Sequence, residues 1–483
     1  MVFVAFPSLT WAERLAGAEP IDLRTCRITA GQAWLTTGRS GTPERTLLTT
    51  LNGRPVWRFF SSSQDGWAVI HADDGSPVPP LTADRARSLA LAFAHQSSTP
   101  APHDHGRAEL DFKQIAVTSI ERDQWTAHPR FNPHRPLFRV QLPDAAGTVL
   151  HVSPTTAEVV LDSSRHERAW NWLGAVPHWI YFTAIRQSTP LWRAITITGS
   201  SVGVALVLTG LIAGLLRWRF RRAEPYQART PYSGWRKWHH LAGLSFGCIA
   251  LTWIFSGLLS MNPASWFDGE SPTTAQRTAW RGGNWDWSLF KGTPALLADE
   301  PRPRIIELVQ FANQSYFVCH APSVSPTLHP WDNSRALSEP RLDHTALVAH
   351  AKLLLPGHSL IRSSELRNHD AHFYTHLWRS PAPLPMFRAE FDDPAGTWFH
   401  LDPHTAQIFN CSTANSRLYR WLYHGLHSLD FPWLQGHPRT WLGTKLFLLS
   451  GGLFLSLTGT ILAAKRLFLT QTPGPAQPSK SSH

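Results

Sequence analysis

The sequence predicts an α+β membrane protein in which transmembrane helices alternate with exported domains made of antiparallel sheets and packed helices. Three observations predict this class: long apolar runs, an internal repeat, and hairpin patterns between the runs. Adding 249 to the numbers of residues 138–217 reaches 387–466 without a gap, and the matched residues include Phe138/Phe387, His151/His400, Trp172/Trp421 and His178/His427. One spacing held through a hairpin and an apolar helix predicts an internal duplication.

The apolar runs are best explained as transmembrane helices. They cover Ala194–Leu216, Leu241–Ser260 and Leu446–Ala464, and none of them contains a charged residue. Each run has about the length that crosses a hydrocarbon core as a helix. A buried core helix, the alternative, seldom stays apolar around its whole circumference. We therefore expect spans at residues 191–217, 238–261 and 441–466.

The positive charge of the chain lies where it would orient these spans. A net charge of +11 is compatible with nucleic-acid binding, but arginine and lysine concentrate in the loop between the first two spans, residues 218–237. Basic loops of this kind stay on the cytoplasmic side of a membrane. We therefore expect residues 12–190 and 262–440 to form outer domains. Residues 467–483, rich in Pro and Ser, are expected to form a disordered cytoplasmic tail.

The repeat also predicts a helix before the first outer domain. Subtracting 249 from the second span places its partner at about −8 to 11, so residues 1–11 would be the remnant of a lost first transmembrane helix. The complete protein would then contain four spans, with both termini in the cytoplasm.

Each outer domain shows strand and helix patterns in the same order. Period-two apolar runs bounded by turn residues predict strands, and apolar residues at helical spacing predict helices. In the first domain these segments are the strands Arg54–Phe60, Trp67–His71 and Glu158–Leu161, the hairpin Leu137–Leu142/Thr148–Val152, and the helices Thr82–Ala94 and Arg165–Ile180. In the second they are Tyr316–His320, matched with Trp67–His71, the helix Leu342–Leu355, the hairpin Phe387–Phe391/Thr397–Leu401, and the helix Arg417–Phe431.

Several motifs of the chain resemble those of the PepSY-associated transmembrane family of bacterial membrane proteins. They are Trp238–Leu244, Phe255–Pro263, Leu384–Arg388, Asp402–Ala406 and Arg417–Pro432. The resemblance implies PepSY-like sheet-plus-helix domains in the periplasm and a multi-pass protein of the bacterial inner membrane. Some members of the family are similar to haem-bearing reductases of ferric siderophores. The resemblance thus implies haem b as a cofactor, and a ferric siderophore and a donor such as quinol as partners.

Four histidines are placed where a membrane cofactor would use them. His178 and His427 are matched by the repeat, each shortly before the tryptophan that opens a span, and His239 and His240 open the span between. Two imidazoles filling both axial positions suit an electron-transfer b haem. The alternative is that these residues hydrogen-bond to water, lipid headgroups or backbone. His424, which the repeat matches with Ala175, is an outside candidate.

Other polar residues are expected to be structural. His369, His372 and His376 would line one face of a helix and bind a metal, but their segment is interpreted as a strand. The repeated pair His151/His400 is expected to pack or to hydrogen-bond. The pairs Arg139/Arg388 and Asp144/Asp393 are expected to form a structural salt bridge or to cap turns rather than to be catalytic. A disulfide between Cys319 and Cys411 is possible, although their spacing does not indicate one.

Two functions remain open from the sequence. One is electron transfer through haem b to ferric complexes outside the membrane. The other is a non-enzymatic membrane module whose outer domains bind peptides or partner proteins, as in the restraint of a protease. The sequence has no glycine-rich phosphate loop, no GxSxG and no HExxH, which argues against the common hydrolases and against a nicotinamide or flavin site.

Overall fold

The computed structural model of the protein describes residues 6–64, 66–97, 114–220, 228–267, 271–292, 302–331, 339–374 and 382–468. The chain divides into two compact units. The sheet unit contains Met1–Trp192, Gly269–His369 and Phe373–Ala414, and the helix unit contains Arg193–Asp268, Asp370–His372 and Asn415–His483. Each unit is described by itself.

The described chain contains long helices separated by segments of strands and shorter helices. The helices are α1 (Trp11–Ala16), α2 (Ala30–Thr36), α3 (Ala83–Ser97), α4 (Arg165–Leu173), α5 (Ala175–His178), α6 (Thr183–Arg186), α7 (Thr189–Arg217), α8 (Gly234–Leu259), α9 (Thr274–Arg281), α10 (His344–Ala351), α11 (Ala414–Tyr419), α12 (Leu426–Ser428), α13 (Pro432–Gln435) and α14 (Pro438–Phe468). The strands are β1 (Arg45–Leu51), β2 (Arg54–Ser61), β3 (Gly66–His71), β4 (Ala116–Ile120), β5 (Leu137–Gln141), β6 (Val149–Ser153), β7 (Glu158–Ser163), β8 (Ile305–Phe311), β9 (Gln314–His320), β10 (Thr327–Pro330), β11 (Leu360–Leu366), β12 (Met386–Phe391), β13 (Trp398–Asp402) and β14 (Gln407–Ser412).

A six-stranded antiparallel sheet lies at the centre of the sheet unit. Its strand order is β10-β9-β8-β1-β2-β3, and the middle pair is joined at Leu47↔Glu307 and Leu48↔Ile306. The segments predicted as separate outer domains, 12–190 and 262–440, therefore contribute three strands each to one continuous sheet. The predicted antiparallel α+β character is confirmed.

The two faces of this sheet bury different cores. One face carries Trp57, Phe59 and Phe317, which pack with Trp34 of α2 and with Phe290. The opposite face carries two further cores, because each half of the sheet is covered by a smaller sheet and one helix. The first of these cores includes α3, and the second includes α10.

The smaller sheets have the same order and register. They are β4-β5-β6-β7 and β11-β12-β13-β14. Arg139 pairs with His151 in the first, and Arg388 pairs with His400 in the second. Immediately after each of these histidines the register changes, in the pairing of β6 with β7 and in that of β13 with β14. The predicted hairpins 137–142/148–152 and 387–391/397–401 are present in these sheets.

Matching turns close the two hairpins. Gly147 and Gly396 have φ of +59° and +58°, a region that side chains with a Cβ rarely adopt. In the first turn Asp144 accepts hydrogen bonds from the backbone N–H and hydroxyl of Thr148, and Asp393 does the same for Thr397 in the second. The prediction that the two aspartates cap turns is confirmed.

The strand Tyr316–His320 is present, but its place in the sheet differs from the prediction. The sequence matched it with Trp67–His71, which is the edge strand β3. In the structure Tyr316–His320 belongs to β9, which follows β8 through a two-residue turn as β2 follows β1. The equivalent of β9 is therefore β2. The hairpins β1–β2 and β8–β9 of the large sheet are related by a spacing of about 260 residues, whereas the small sheets keep the spacing of 249.

The helix unit is built on three long apolar helices. In the described chain α7, α8 and α14 are long and apolar enough to cross a membrane, which indicates a membrane protein. Small residues let them approach closely: a Cβ at Gly451 would lie 2.3 Å from the ring of Phe246, and one at Gly247 would lie 2.7 Å from Leu211. The predicted spans 191–217, 238–261 and 441–466 fall within or nearly within these helices.

The start of the described chain is not helical until α1. Phe6 lies among the rings of Trp125, Trp179 and Tyr181, and α1 begins with a capping box of Thr10 and Glu13. The segment predicted as the remnant of a first helix is 1–11. Its residues 6–10 are not helical, and its residues 1–5 lie outside the described residues.

Candidate functional site

His239 lies in the first third of α8 and is held by a threonine of α14. Its Nδ1 is 3.0 Å from Thr458 Oγ1, and that hydroxyl donates to the carbonyl of Leu455 at 2.9 Å. Because the hydroxyl proton is used in that way, Thr458 accepts the proton of His239 Nδ1. The lone pair of the imidazole is therefore on Nε2, the tautomer of a metal-ligating histidine whose other nitrogen is anchored.

His427 is fixed in the same tautomer near the other end of α8. Its Nδ1 lies 3.0 Å from Ser256 Oγ and 3.2 Å from the carbonyl oxygen of Trp253. A carbonyl can only accept, so Nδ1 carries the proton and Nε2 carries the lone pair. Ser256 is fully buried and donates its own proton to Trp253 O at 3.1 Å.

His239 and the residue that anchors His427 lie near opposite ends of α8. His239 and Ser256 are both in α8 and, at about 1.5 Å per residue, are about 26 Å apart along its axis. The hydrocarbon core of a membrane is about 30 Å thick. A glycine adjoins each ring, since a Cβ at Gly459 would be 3.3 Å from His239 Cε1 and one at Gly257 would be 3.5 Å from His427 Cε1.

His240 is buried and has both ring nitrogens in hydrogen bonds. Nε2 donates to the carbonyl oxygen of Gly214 at 2.8 Å, and Nδ1 lies 2.7 Å from Thr230 Oγ1. The edge of its ring faces Tyr232. Of the two adjacent histidines, His239 is therefore placed to offer a lone pair, whereas His240 would first have to give up a hydrogen bond that ties α8 to α7.

The contacts of His240 lead to a stability prediction. We expect His240→Ala to lower the free energy of unfolding of the helix unit by about 1–3 kcal/mol, because the carbonyl of Gly214 and the hydroxyl of Thr230 lose their partner inside an apolar bundle. The measurement is denaturant unfolding of the purified protein in mild detergent. The control is Trp238→Ala, two positions earlier in α8, where the side chain is exposed. An equal loss in both variants would contradict a stabilising role for the hydrogen bonds of His240.

His178 and His424 lie outside this pair of anchored imidazoles. His178 ends α5 in the sheet unit and is exposed, and it is described within that unit alone. His424 lies in a π-helical turn of the helix unit, Arg420–Gly425, where its ring contacts Tyr419 and Tyr423. The cofactor role predicted for His178, His239, His240 and His427 stays a prediction.

The repeated histidines of the small sheets are structural, as expected. His151 and His400 are completely buried. His151 Nε2 lies 2.7 Å from Asp123, and His400 lies 2.6 Å from Asn410 and accepts from Arg388 at 3.0 Å. Burial works to raise the pKa of Asp123, but the hydrogen bond and charge of His151 and the hydrogen bonds from Thr126 and Trp125 together outweigh it and lower this pKa to about 2.

The metal and disulfide candidates gain no support from the described residues. His369 lies beyond β11 and its Nε2 is 3.0 Å from the carbonyl of Ala382, while His376 lies outside the described residues. Within the described ranges no group of three or more His, Cys, Asp or Glu could hold a metal ion. Cys319 and Cys411 are both buried and form no disulfide.

Two anchoring residues were missed from the sequence. Ser256 and Thr458 are both fully buried polar residues inside apolar spans. A hydroxyl in such a run is a usable signal, because in lipid it needs a partner on its own helix or on a neighbouring one. The structure gives each hydroxyl a carbonyl of its own helix and an imidazole nitrogen.

Comparison with known proteins gives no family assignment: no family model, no curated protein and no solved structure matches the chain.

Proposed function

We propose that this protein is an electron-transfer protein of the bacterial inner membrane that uses haem b and reduces ferric complexes, such as ferric siderophores, on the outer side. The observation that carries the proposal is the pair of anchored imidazoles, His239 and His427, near opposite ends of α8. Two redox centres at the two faces of a membrane would let electrons cross it.

The donor set fits a haem. Each imidazole has its Nδ1 proton held by an oxygen of the protein, which orients the ring and raises the basicity of Nε2. The glycine beside each ring removes the side chain that would otherwise crowd the imidazole edge. His427 would hold the outer haem together with His178, its match in the repeat. His239 would hold the inner haem. With His178 and His427 as ligands, the outer b haem would supply one-electron transfer.

Internal duplication supports the pairing of His178 with His427, and we include it in the proposal. The two small sheets share strand order, register and turn geometry. Two copies in the same orientation would be related by an axis along the membrane normal. The concentration of arginine and lysine in the loop 218–237 supports a cytoplasmic position for that loop and a periplasmic one for the sheet-bearing segments.

The electron balance defines the partners. A quinol releases two electrons and two protons on becoming a quinone, and these electrons reduce two ferric ions to two ferrous ions. The chain itself must therefore bind a membrane quinol or a donor protein, and ferric iron is the substrate rather than a resident metal.

The absorption spectrum of the purified full-length protein tests this function. Protein from cells supplied with haem is expected to show a Soret band and low-spin α and β bands that sharpen on reduction with dithionite. A haem content near zero under these conditions would end the electron-transfer proposal. It would leave the alternative of a non-enzymatic membrane module that binds peptides or partner proteins.

A further inference from the structure

The sheet unit contains a cavity that is lined by none of the histidines considered above. Its volume is about 300 Å³, at the lower end of the range of small-molecule sites. It lies beside β1, β2, α3 and the start of β7, and the exposed residues Ser88 and Ala92 of α3 are among its lining residues. Leu89, Phe93 and Val159 provide apolar lining.

Two buried polar groups in the lining have no hydrogen-bond partner. They are Nε of Arg58 and Oγ1 of Thr49, on residues that are 3% and 4% exposed. Leaving such groups unsatisfied is costly, more so for a charged donor. Both residues line the cavity, so a ligand there would supply the missing partner.

Two arginines and two acids line the cavity. Glu158 contacts Nη1 of Arg58 and lies 3.9 Å from Nη1 of Arg14. Burial works to raise the pKa of Glu158, but Arg58, Arg14 and His134 together outweigh it and keep this pKa below its ordinary value. Glu19 is held by the backbone N–H groups of Asn52 and Gly53, which donate to it. Glu158 is therefore the acid that engages Arg58, through Nη1, and Nε of Arg58 is left for an anionic ligand.

The other half of the same sheet shows that the fold does not require these polar groups. The hairpin β8–β9 repeats the hairpin β1–β2 strand for strand, so the position of Thr49 corresponds to Val309 and that of Arg58 to Val318. Both valines are buried in an apolar core. Glu158, at the start of β7, corresponds to Gln407 at the start of β14.

We propose that this cavity binds a small organic molecule with one carboxylate and an apolar body. The carboxylate would accept from Arg58 Nε and from the hydroxyl of Thr49, and the body would lie against Leu89, Phe93 and Val159. The site depends on the sheet unit alone and does not rest on the electron-transfer function.

The test uses the full-length protein in detergent and four carboxylates of increasing apolar size: acetate, hexanoate, phenylacetate and N-acetylphenylalanine. Isothermal titration calorimetry is expected to show binding of at least one of the larger three, and about tenfold weaker binding of its amide analogue, because the charged hydrogen bond is lost. The ligand is also expected to raise the unfolding temperature.

Two variants copy residues of the other half and separate the site from a packing role. Thr49→Val/Arg58→Val/Glu158→Gln, which leaves no buried carboxylate without its arginine, is expected to fold and to weaken carboxylate binding about tenfold or more. Glu158→Gln, which removes the acid competing for Arg58, is expected to tighten it several-fold. If none of the four carboxylates binds, so that only water fills the cavity, or if both variants bind like the unaltered protein, the proposal is overturned.

Discussion

The Arg45→Ala substitution is expected to lower the free energy of unfolding of the sheet unit by about 2 kcal/mol. This value lies between the contribution of an exposed ion pair and the cost of breaking a fully buried one, because Arg45 is 39% exposed while its partner is buried. Arg45 of β1 makes two parallel hydrogen bonds to Glu307 of β8, at 2.8 and 2.9 Å. The side chain of Glu307 is 9% exposed, so its charge would remain buried when the arginine is removed. His320, 3.6 Å away, would compensate only in part.

Arg54→Ala is the matched control, because Arg54 also makes short ion pairs in the same sheet. Its partners Asp73 and Asp74 lie at 2.7 and 2.8 Å, but their side chains are 27% and 53% exposed, whereas that of Glu307 is 9% exposed. An exposed pair contributes less than about 1 kcal/mol. Chemical denaturation followed by circular dichroism measures both variants. Equal losses would show that the middle of the sheet does not depend on the Arg45–Glu307 pair.

The pH dependence of stability provides a second check on the same pair. Burial works to raise the pKa of Glu307, but hydrogen bonds from His320 and Arg45 outweigh it and lower this pKa from 4.5 to about 2. A carboxylate with a lowered pKa stabilises the folded state above its ordinary pKa, and this contribution is lost as the pH falls through the folded value. The stability difference between the unaltered protein and Arg45→Ala should therefore shrink between about pH 4.5 and pH 2.

The His427→Ala substitution is expected to remove one of two haems, so that the haem bound per protein falls by about half. His239→Ala should remove the other half, because it eliminates the anchored imidazole near the opposite end of α8. The measurement is the pyridine haemochrome assay on purified protein. The exposed His437, whose Nδ1 is 2.9 Å from the carbonyl of Trp433, gives the control His437→Ala.

A variant of Ser256, which positions His427, tests whether His427 binds haem or only packs between the helices. Removing the hydroxyl in Ser256→Ala weakens the anchor of His427 Nδ1 and is expected to lower haem affinity about tenfold, as such supporting contacts do in other metal sites. The midpoint potential of the remaining haem should shift as well. Full haem content in His239→Ala and in His427→Ala would exclude both histidines as ligands.

The sequence predicted the local elements better than their association. The apolar spans and the hairpins 137–152 and 387–401 were foreseen because their periodicity is local. The strands missed were β1, β4, β8, β10, β11 and β14. The pairing of β1 with β8 has no local signal, since it joins residues about 260 positions apart through two residue pairs. Tyr316–His320 was matched with the wrong strand because two short apolar strands ending in histidine look alike.

The candidate site was predictable by residue type but not by geometry. The adjacent histidines His239 and His240 look equivalent in the sequence, yet one offers a lone pair and the other ties two helices together. That difference comes from Thr458 and Gly214, which are distant in the chain. Arg58 was overlooked although an arginine between Trp57 and Phe59 in a strand is unusual. Only the structure shows that the side chain of Arg58 is buried and lines a cavity.

The β1–β8 ladder also constrains biogenesis. Because β8 is synthesised about 260 residues after β1, the edge of β1 waits for its partner on the order of 10–50 s at ordinary elongation rates. An open strand edge readily recruits strands from other chains. The nascent protein therefore needs that edge shielded until the second half has emerged, and neither half can complete the sheet if it is expressed alone.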